Sequence, residues 1–188
     1  MKFRVDHTYI EDVKVITPQR IADHRGYFME IFNNTDFNSF GIPSLFVQAN
    51  QSCSIKGVVR GLHFQWYPPA GKLMRVTKGE AFLVAVDIRK KSPTLGQWFG
   101  DIFSEENQKQ LWAPAGFARG ICTLSDITEI QYLITGEYNP SCESGINWKD
   151  PDIAIKWPIK NPILSDKDDN TKSFKEWLED ERSNNFML

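Results

Sequence analysis

Apolar and polar residues alternate in short runs along most of the chain, and Gly, Pro, Asn or Asp punctuates the gaps between runs. Alternation with period two predicts strands that bury one face. VKVITPQRI (13–21) reads as a kinked or edge strand, because Pro18 interrupts it. GYFMEIF (26–32), FVQANQSCSI (46–55) and GVVRGLHF (57–64) follow. KLMRVT (72–77) and EAFLVAVDIR (80–89) predict a hairpin that turns at Lys78 and Gly79. QWFGDIF (97–103), QLWAPAGFARGICTL (110–124, strand, Pro/Gly turn, strand) and EIQYLITGEY (129–138) complete the set. Many short strands with turn residues between them imply an all-β antiparallel sandwich or barrel. Helix is predicted only near the end. SFKE (173–176) is a capping box, and Phe174, Trp177 and Leu178 fall at i, i+3 and i+4. The preceding WPIKNPILSDKDDN (157–170) reads as loop.

Composition narrows the class without naming a function. The 188 residues suit one domain with a short C-terminal helix and tail at 170–188. The net charge is -2, and no run of Lys and Arg makes a nucleic-acid footprint. No apolar stretch approaches the roughly 18 residues of a membrane span. MKFRVDHTYIEDV lacks the apolar centre of a signal peptide. Cys53, Cys122 and Cys142 are odd in number and form no C-x-x-C pair. These features predict a reduced, cytoplasmic protein that binds neither nucleic acid nor membrane.

The chemistry centres on RGLHFQ (60–65), where one of only three histidines sits inside a strand-like apolar run. A metal needs about three converging imidazole or carboxylate ligands. Gly61 and Gln65 flank His63 at i±2 and cannot supply them, and APAGFARGI (113–121) offers only Arg119, so no metal site is expected. No G-x-S-x-G, G-x-G-x-x-G or P-loop pattern occurs. What remains is acid–base chemistry without a cofactor. His63 is the candidate base, with Arg60, Lys72, Arg75 and Arg119 as strand-borne cations, Tyr132 as an inward phenol, and Asp166 or Asp168 as a returning carboxylate. The plainer readings stand beside these: a satisfied core histidine, a core tyrosine, and Lys72 and Arg75 on a solvated face. Arg60 and His63, three apart, face opposite ways in a regular strand, and Gly61 permits the bulge that would align them. The pattern alone stops at a β-barrel with an anionic small-molecule site.

The chain resembles the dTDP-4-dehydrorhamnose 3,5-epimerases, sugar-nucleotide enzymes of the cupin fold. The resemblance rests on DHRGYFMEIF (23–32), FVQANQS (46–52), GVVRGLHFQ (57–65), GKLMRVTKGEAFLVAVDIRKKSPTLGQW (71–98), the run from Ser104 to Ala118, LSD (124–126), SGINWKDPDIAIKWP (144–158) and ILSDKD (163–168), in that order. It implies a cupin-like jelly roll and a cofactor-independent epimerisation at C3 and C5 of a nucleotide-linked 4-keto-6-deoxy sugar. It further implies that His63 is the base, Asp168 its orienting partner, Tyr132 the proton donor across the ring and Lys72 the oxyanion cation. Arg60 matches a diphosphate ligand. Gln48, Asn50, Tyr138 and Glu143 match nucleotide contacts. Arg25, Phe28 and Glu30 match a segment that crosses to the second subunit of a homodimer, through N-terminal strands exchanged between subunits. The resemblance makes Arg119 a substrate-binding position, where the family usually has a histidine that helps hold the substrate near the sugar and phosphates, and the chain departs from the pattern there and at Ala49, where aspartate is usual. Those departures leave open a single-centre epimerase or keto-isomerase on another nucleotide sugar, and a non-catalytic barrel that only binds one.

Overall fold

The computed structural model describes residues 2–186. Met187 and Leu188, the end of the tail assigned to 170–188, lie outside the described residues. Six strands form one sheet in the order β1 (Phe3–His7), β2 (Lys14–Pro18), β10 (Gln110–Ala113), β7 (Lys72–Lys78), β12 (Ile127–Ile134) and β5 (Gln48–Ile55). Five form the second, in the order β13 (Glu143–Gly145), β6 (Val59–Gln65), β11 (Phe117–Thr123), β8 (Glu80–Asp87) and β9 (Trp98–Ser104). A separate two-stranded ribbon joins β3 (Ile21–Asp23) to β4 (Gly26–Phe28). All the pairings between these strands are antiparallel. The architecture is the expected jelly roll, built as two facing sheets that, among the described residues, no strand pairing closes into a barrel.

Three apolar layers hold the sheets. Between them lie Val15, Met74, Val76, Leu83, Ala85, Phe103, Leu111, Phe117 and Ile130. The outer face of the five-stranded sheet packs Leu62, Phe64, Val84, Val86 and Ala118 under Ile146, Ile153, Phe174, Trp177 and Phe186 of the C-terminal segment. Phe3, Ile16, Phe37, Ile42, Leu73 and Trp112 cover part of the six-stranded sheet's outer face. β8 is buried on both faces: Leu83 and Ala85 point one way, Phe82, Val84 and Val86 the other. That explains its near-continuous apolar sequence.

Several expectations need correction. β7 and β8 do not form a hairpin; they belong to different sheets, and Gly79 (φ +74) turns a corner between them. A Cβ there would lie 2.4 Å from the Ile127 carbonyl oxygen. Pro114 and Gly116 likewise carry the chain from β10 in one sheet to β11 in the other. β2 is an interior strand, flanked by β1 and β10, and Pro18 merely ends it. GYFMEIF pairs only over Gly26–Phe28. Phe3–His7 and Glu143–Gly145 are additional strands, too short or too polar to register as alternation. The segment read as loop contains a one-turn helix, α2 (Asp166–Asp169), after α1 (Asn34–Ser39) and before α3 (Phe174–Glu179). α3 carries the expected capping box between Ser173 and Glu176.

Candidate active site

The site is built on a bulge in β6. His63 opposes Arg119 of β11, and Arg60 opposes Ile121. Three steps along β6 thus match two along β11, and the extra residue puts Arg60 and His63 on the same inward face. Gly61 makes this geometry accessible. Its φ is +129, and a Cβ would lie 2.7 Å from both the Arg119 carbonyl oxygen and the Gly120 Cα. Val59 and Leu62 consequently both face the outer core layer.

His63 and Arg60 line a cleft of about 560 Å³ between the sheets, together with Lys72, Arg119 and Tyr132. Lys72, Met74 and Tyr132 come from neighbouring strands: Tyr132 opposes Met74, and Ile134 opposes Lys72. The Lys72 Nζ lies 5.3 Å from the centroid of the Tyr132 ring.

His63 Nε2 lies 2.6 Å from Asp168 Oδ1. Asp168 is buried at 4% exposure, and its carboxylate also accepts from Ser165 Oγ at 2.6 Å and from the Gly61 amide at 3.2 Å. Burial works against the charged carboxylate, but the hydrogen bonds from His63, Ser165 and Gly61 outweigh it and hold Asp168 at about 2. An ionised carboxylate only accepts, so Nε2 carries the proton and donates it. In the neutral ring, Nδ1 is then the nitrogen with a free lone pair.

The cations are poorly compensated. Burial pushes Lys72 down to about 7, with Arg119 nearby acting in the same direction and Glu143 opposing. Burial pushes Arg119 down to about 9, which leaves it charged at neutral pH. Among the described residues, no carboxylate pairs with Arg60, Lys72 or Arg119. A cleft holding several unpaired cations suits an anionic ligand.

Other residues singled out in the sequence are placed differently. Gln48 and Asn50 share the inward period of β5 and bond to each other, Nε2 to Oδ1, at 3.0 Å. Tyr138 is exposed and donates to Glu143 Oε2 at 3.2 Å; Lys167 Nζ donates to the same oxygen at 2.5 Å. Burial raises Glu143, but Lys167 more than compensates, and its carboxyl falls below the usual range. Arg75 is on the opposite face of β7 from Lys72 and bonds Gln108, so it leaves the cation set. Asp166 is exposed on α2 and leaves the carboxylate role to Asp168. Arg25, Phe28 and Glu30 do not line the cleft of their own chain. Arg25 bonds Asp23, and Glu30 pairs with Lys2. The alternation along β7, β5 and β11 marks Met74, Ser52 and Ile121 as lining residues that sequence reasoning missed. Ser165 was also missed, although S-x-x-D over 165–168 is itself an N-cap pattern.

The sequence profile of the dTDP-4-dehydrorhamnose 3,5-epimerases matches residues 7–176. The chain belongs to this family. A dTDP-4-dehydrorhamnose 3,5-epimerase from Shigella flexneri is 52% identical over 169 residues, covering 89% of this chain and 93% of the relative. A dTDP-4-dehydrorhamnose 3-epimerase from Streptomyces niveus is 39% identical over 161 residues, covering 85% of this chain and 78% of the relative. The crystal structure of the Legionella pneumophila 3,5-epimerase, in complex with dTDP-4-keto-L-rhamnose, superposes with a TM-score of 0.89 at 44% identity, covering 92% of this chain and 93% of that one. The chain is thus an enzyme of the epimerase family. Family and cleft agree in kind: a sugar nucleotide is anionic, and the cleft is cationic. Among the described residues, no three His, Cys, Asp or Glu side chains converge to hold a metal.

Proposed function

We propose that this chain epimerises C3 and C5 of dTDP-4-dehydro-6-deoxy-glucose, giving dTDP-4-dehydrorhamnose. The observation that carries the mechanism is the His63–Asp168 pair at 2.6 Å, in a cleft shared with Tyr132 and Lys72. The 4-keto group acidifies the hydrogens on its neighbouring carbons. His63 Nδ1 takes one such proton, and the C–H electron pair moves into an enolate whose negative charge resides on the keto oxygen. Lys72 stabilises that oxygen; a cation so aimed lowers a barrier by several kcal/mol, on the order of 10²–10³ in rate. Tyr132 returns a proton to the opposite face, which inverts the centre. Asp168 fixes the tautomer that leaves Nδ1 basic. Arg60 holds the diphosphate.

The working enzyme is a homodimer. The β3–β4 ribbon supports this reading, because it exposes Ile21, Tyr27 and Phe28, the last at 70%. Its Arg25 and Phe28, with the adjoining Glu30, complete the nucleotide pocket of the partner, where Gln48, Asn50, Tyr138 and Glu143 contact the nucleotide. Cys53, Cys122 and Cys142 are all free thiols, in keeping with a cytoplasmic setting.

Incubation with the 4-keto substrate in heavy water tests the reaction. Deuterium enters C3 and C5, and His63→Asn loses exchange by orders of magnitude while substrate binding is nearly kept. Exchange unaffected by His63→Asn refutes the mechanism in favour of binding alone. The 39% identity to a 3-epimerase favours a second reading, inversion at one centre, for which label enters a single carbon.

A further inference from the structure

Arg119 has a feature that binding of the substrate tail does not explain. It is 4% exposed, Nη1 donates to the Pro114 carbonyl at 3.2 Å, and Nε and Nη2 are buried with no partner among the described residues. Its directly opposed residue across the sheet is His63. Pro114 follows Ala113, which opposes Lys72 on β7. Arg119, held by the Pro114 carbonyl, lines the same cleft as the base and the ammonium. Among the described residues, the carboxylates at this end are already engaged: Asp168 by His63 and Ser165, Glu143 by Lys167 and Tyr138. Two buried N–H donors on a permanent cation cost folding energy unless a ligand uses them.

We propose that Arg119 is a reaction-site cation, paired with Lys72 as a twofold electrophile for the oxygen that becomes negative during enolisation. The inference rests on the epimerase reading above. In the free enzyme the two like charges oppose each other, and the ammonium meets Arg119, Lys167, Glu143, the Tyr132 ring and the His63 ring from the surrounding elements. Enolate formation relieves that repulsion: the new anion accepts from both cations at once, so the stabilisation is larger in the transition state than in the Michaelis complex. The electron pair from the C–H bond goes to this oxygen, the proton goes to His63, and Arg119 exchanges no proton.

The test uses the full-length enzyme, with Arg119→Gln, Arg119→Lys and Arg119→Met. Arg119→Gln lowers kcat for deuterium exchange by about 10²-fold, as loss of one oxyanion donor does, and changes KM less than about threefold. Arg119→Lys restores about a tenth or more of that loss by keeping the charge. In the absence of substrate, ¹³C-labelled Lys72 titrates near neutral pH in the native enzyme and at higher pH in Arg119→Gln and Arg119→Met, which reports the coupling of the two cations, while the split between kcat and KM separates a reaction-site role from a structural one. Arg119→Met also raises Tm, because an uncompensated buried charge is removed. A rise in KM with kcat kept places Arg119 on the substrate tail and overturns the proposal, as does an unchanged Lys72 titration. If the native enzyme shows no exchange at all, the epimerase reading fails by itself, and the Lys72 titration still reports whether the two cations are coupled.

Discussion

Gly61→Ala puts the bulge to the test. A methyl group at position 61 meets two separate penalties. The backbone sits at φ +129, where an L-residue is strained by about 1–3 kcal/mol. The new Cβ also lies 2.7 Å from the Arg119 carbonyl oxygen and from the Gly120 Cα, both backbone atoms of a central strand that cannot swing aside. Overpacking of that kind adds about 1–3 kcal/mol. Gly26→Ala supplies a matched control. Its φ is +131, almost the same, and nothing lies within 4 Å of the place its new methyl group would take. Urea unfolding of the two variants therefore separates strain from contact: Gly61→Ala loses roughly 2–6 kcal/mol, and Gly26→Ala loses only the smaller strain share, about 1–3 kcal/mol. Function follows the same geometry. If β6 escapes the clash by losing its extra residue, Arg60 and His63 separate to opposite faces and exchange collapses even in the folded fraction. Equal losses in the two variants, with native exchange in Gly61→Ala, would refute the claim that this contact holds the site together.

Asp168→Asn keeps the shape of the partner but presents an amide that can donate to Nε2, so kcat for exchange falls by about 10²–10⁴-fold with the fold intact by circular dichroism. Asp168 is held at about 2, below the ordinary carboxylate value near 3.9, so its contribution to stability is complete above about pH 4 and is lost as pH falls towards 2; urea midpoints in that window drop more steeply for the native chain than for Asp168→Asn. Phe28→Asp places a charge on the exposed ribbon and shifts sedimentation from dimer to monomer, with exchange lost in proportion; an unchanged sedimentation coefficient would count against ribbon exchange. Trp177→Ala removes a fully buried ring packed 4.4 Å from Phe64, costs about 3–5 kcal/mol in a denaturant melt, and leaves the specific activity of the folded enzyme near native.

Alternation along the chain determined the class of fold, because a strand with one wet face must repeat every two residues. It also determined which side chains share a face. Tyr132 with Ile130 and Ile134 followed from counting by two, and the capping box placed the start of α3 at Ser173. The motif run carried the family and nominated His63 and Asp168 from opposite ends of the chain. Sheet membership was not legible. A Lys-Gly pair between two apolar runs is the same local signal for a hairpin and for a corner, and only the packing of β8 between two apolar layers sends β7 and β8 into different sheets. The bulge was permitted by Gly61 but decided by the register against β11, a strand more than fifty residues away. The charge state of the site was decided in the same way. A side chain's proton affinity answers to what surrounds it in space, so Lys72 and Arg119 are ordinary cations as letters and become unpaired, weakened ones only where the two sheets enclose them.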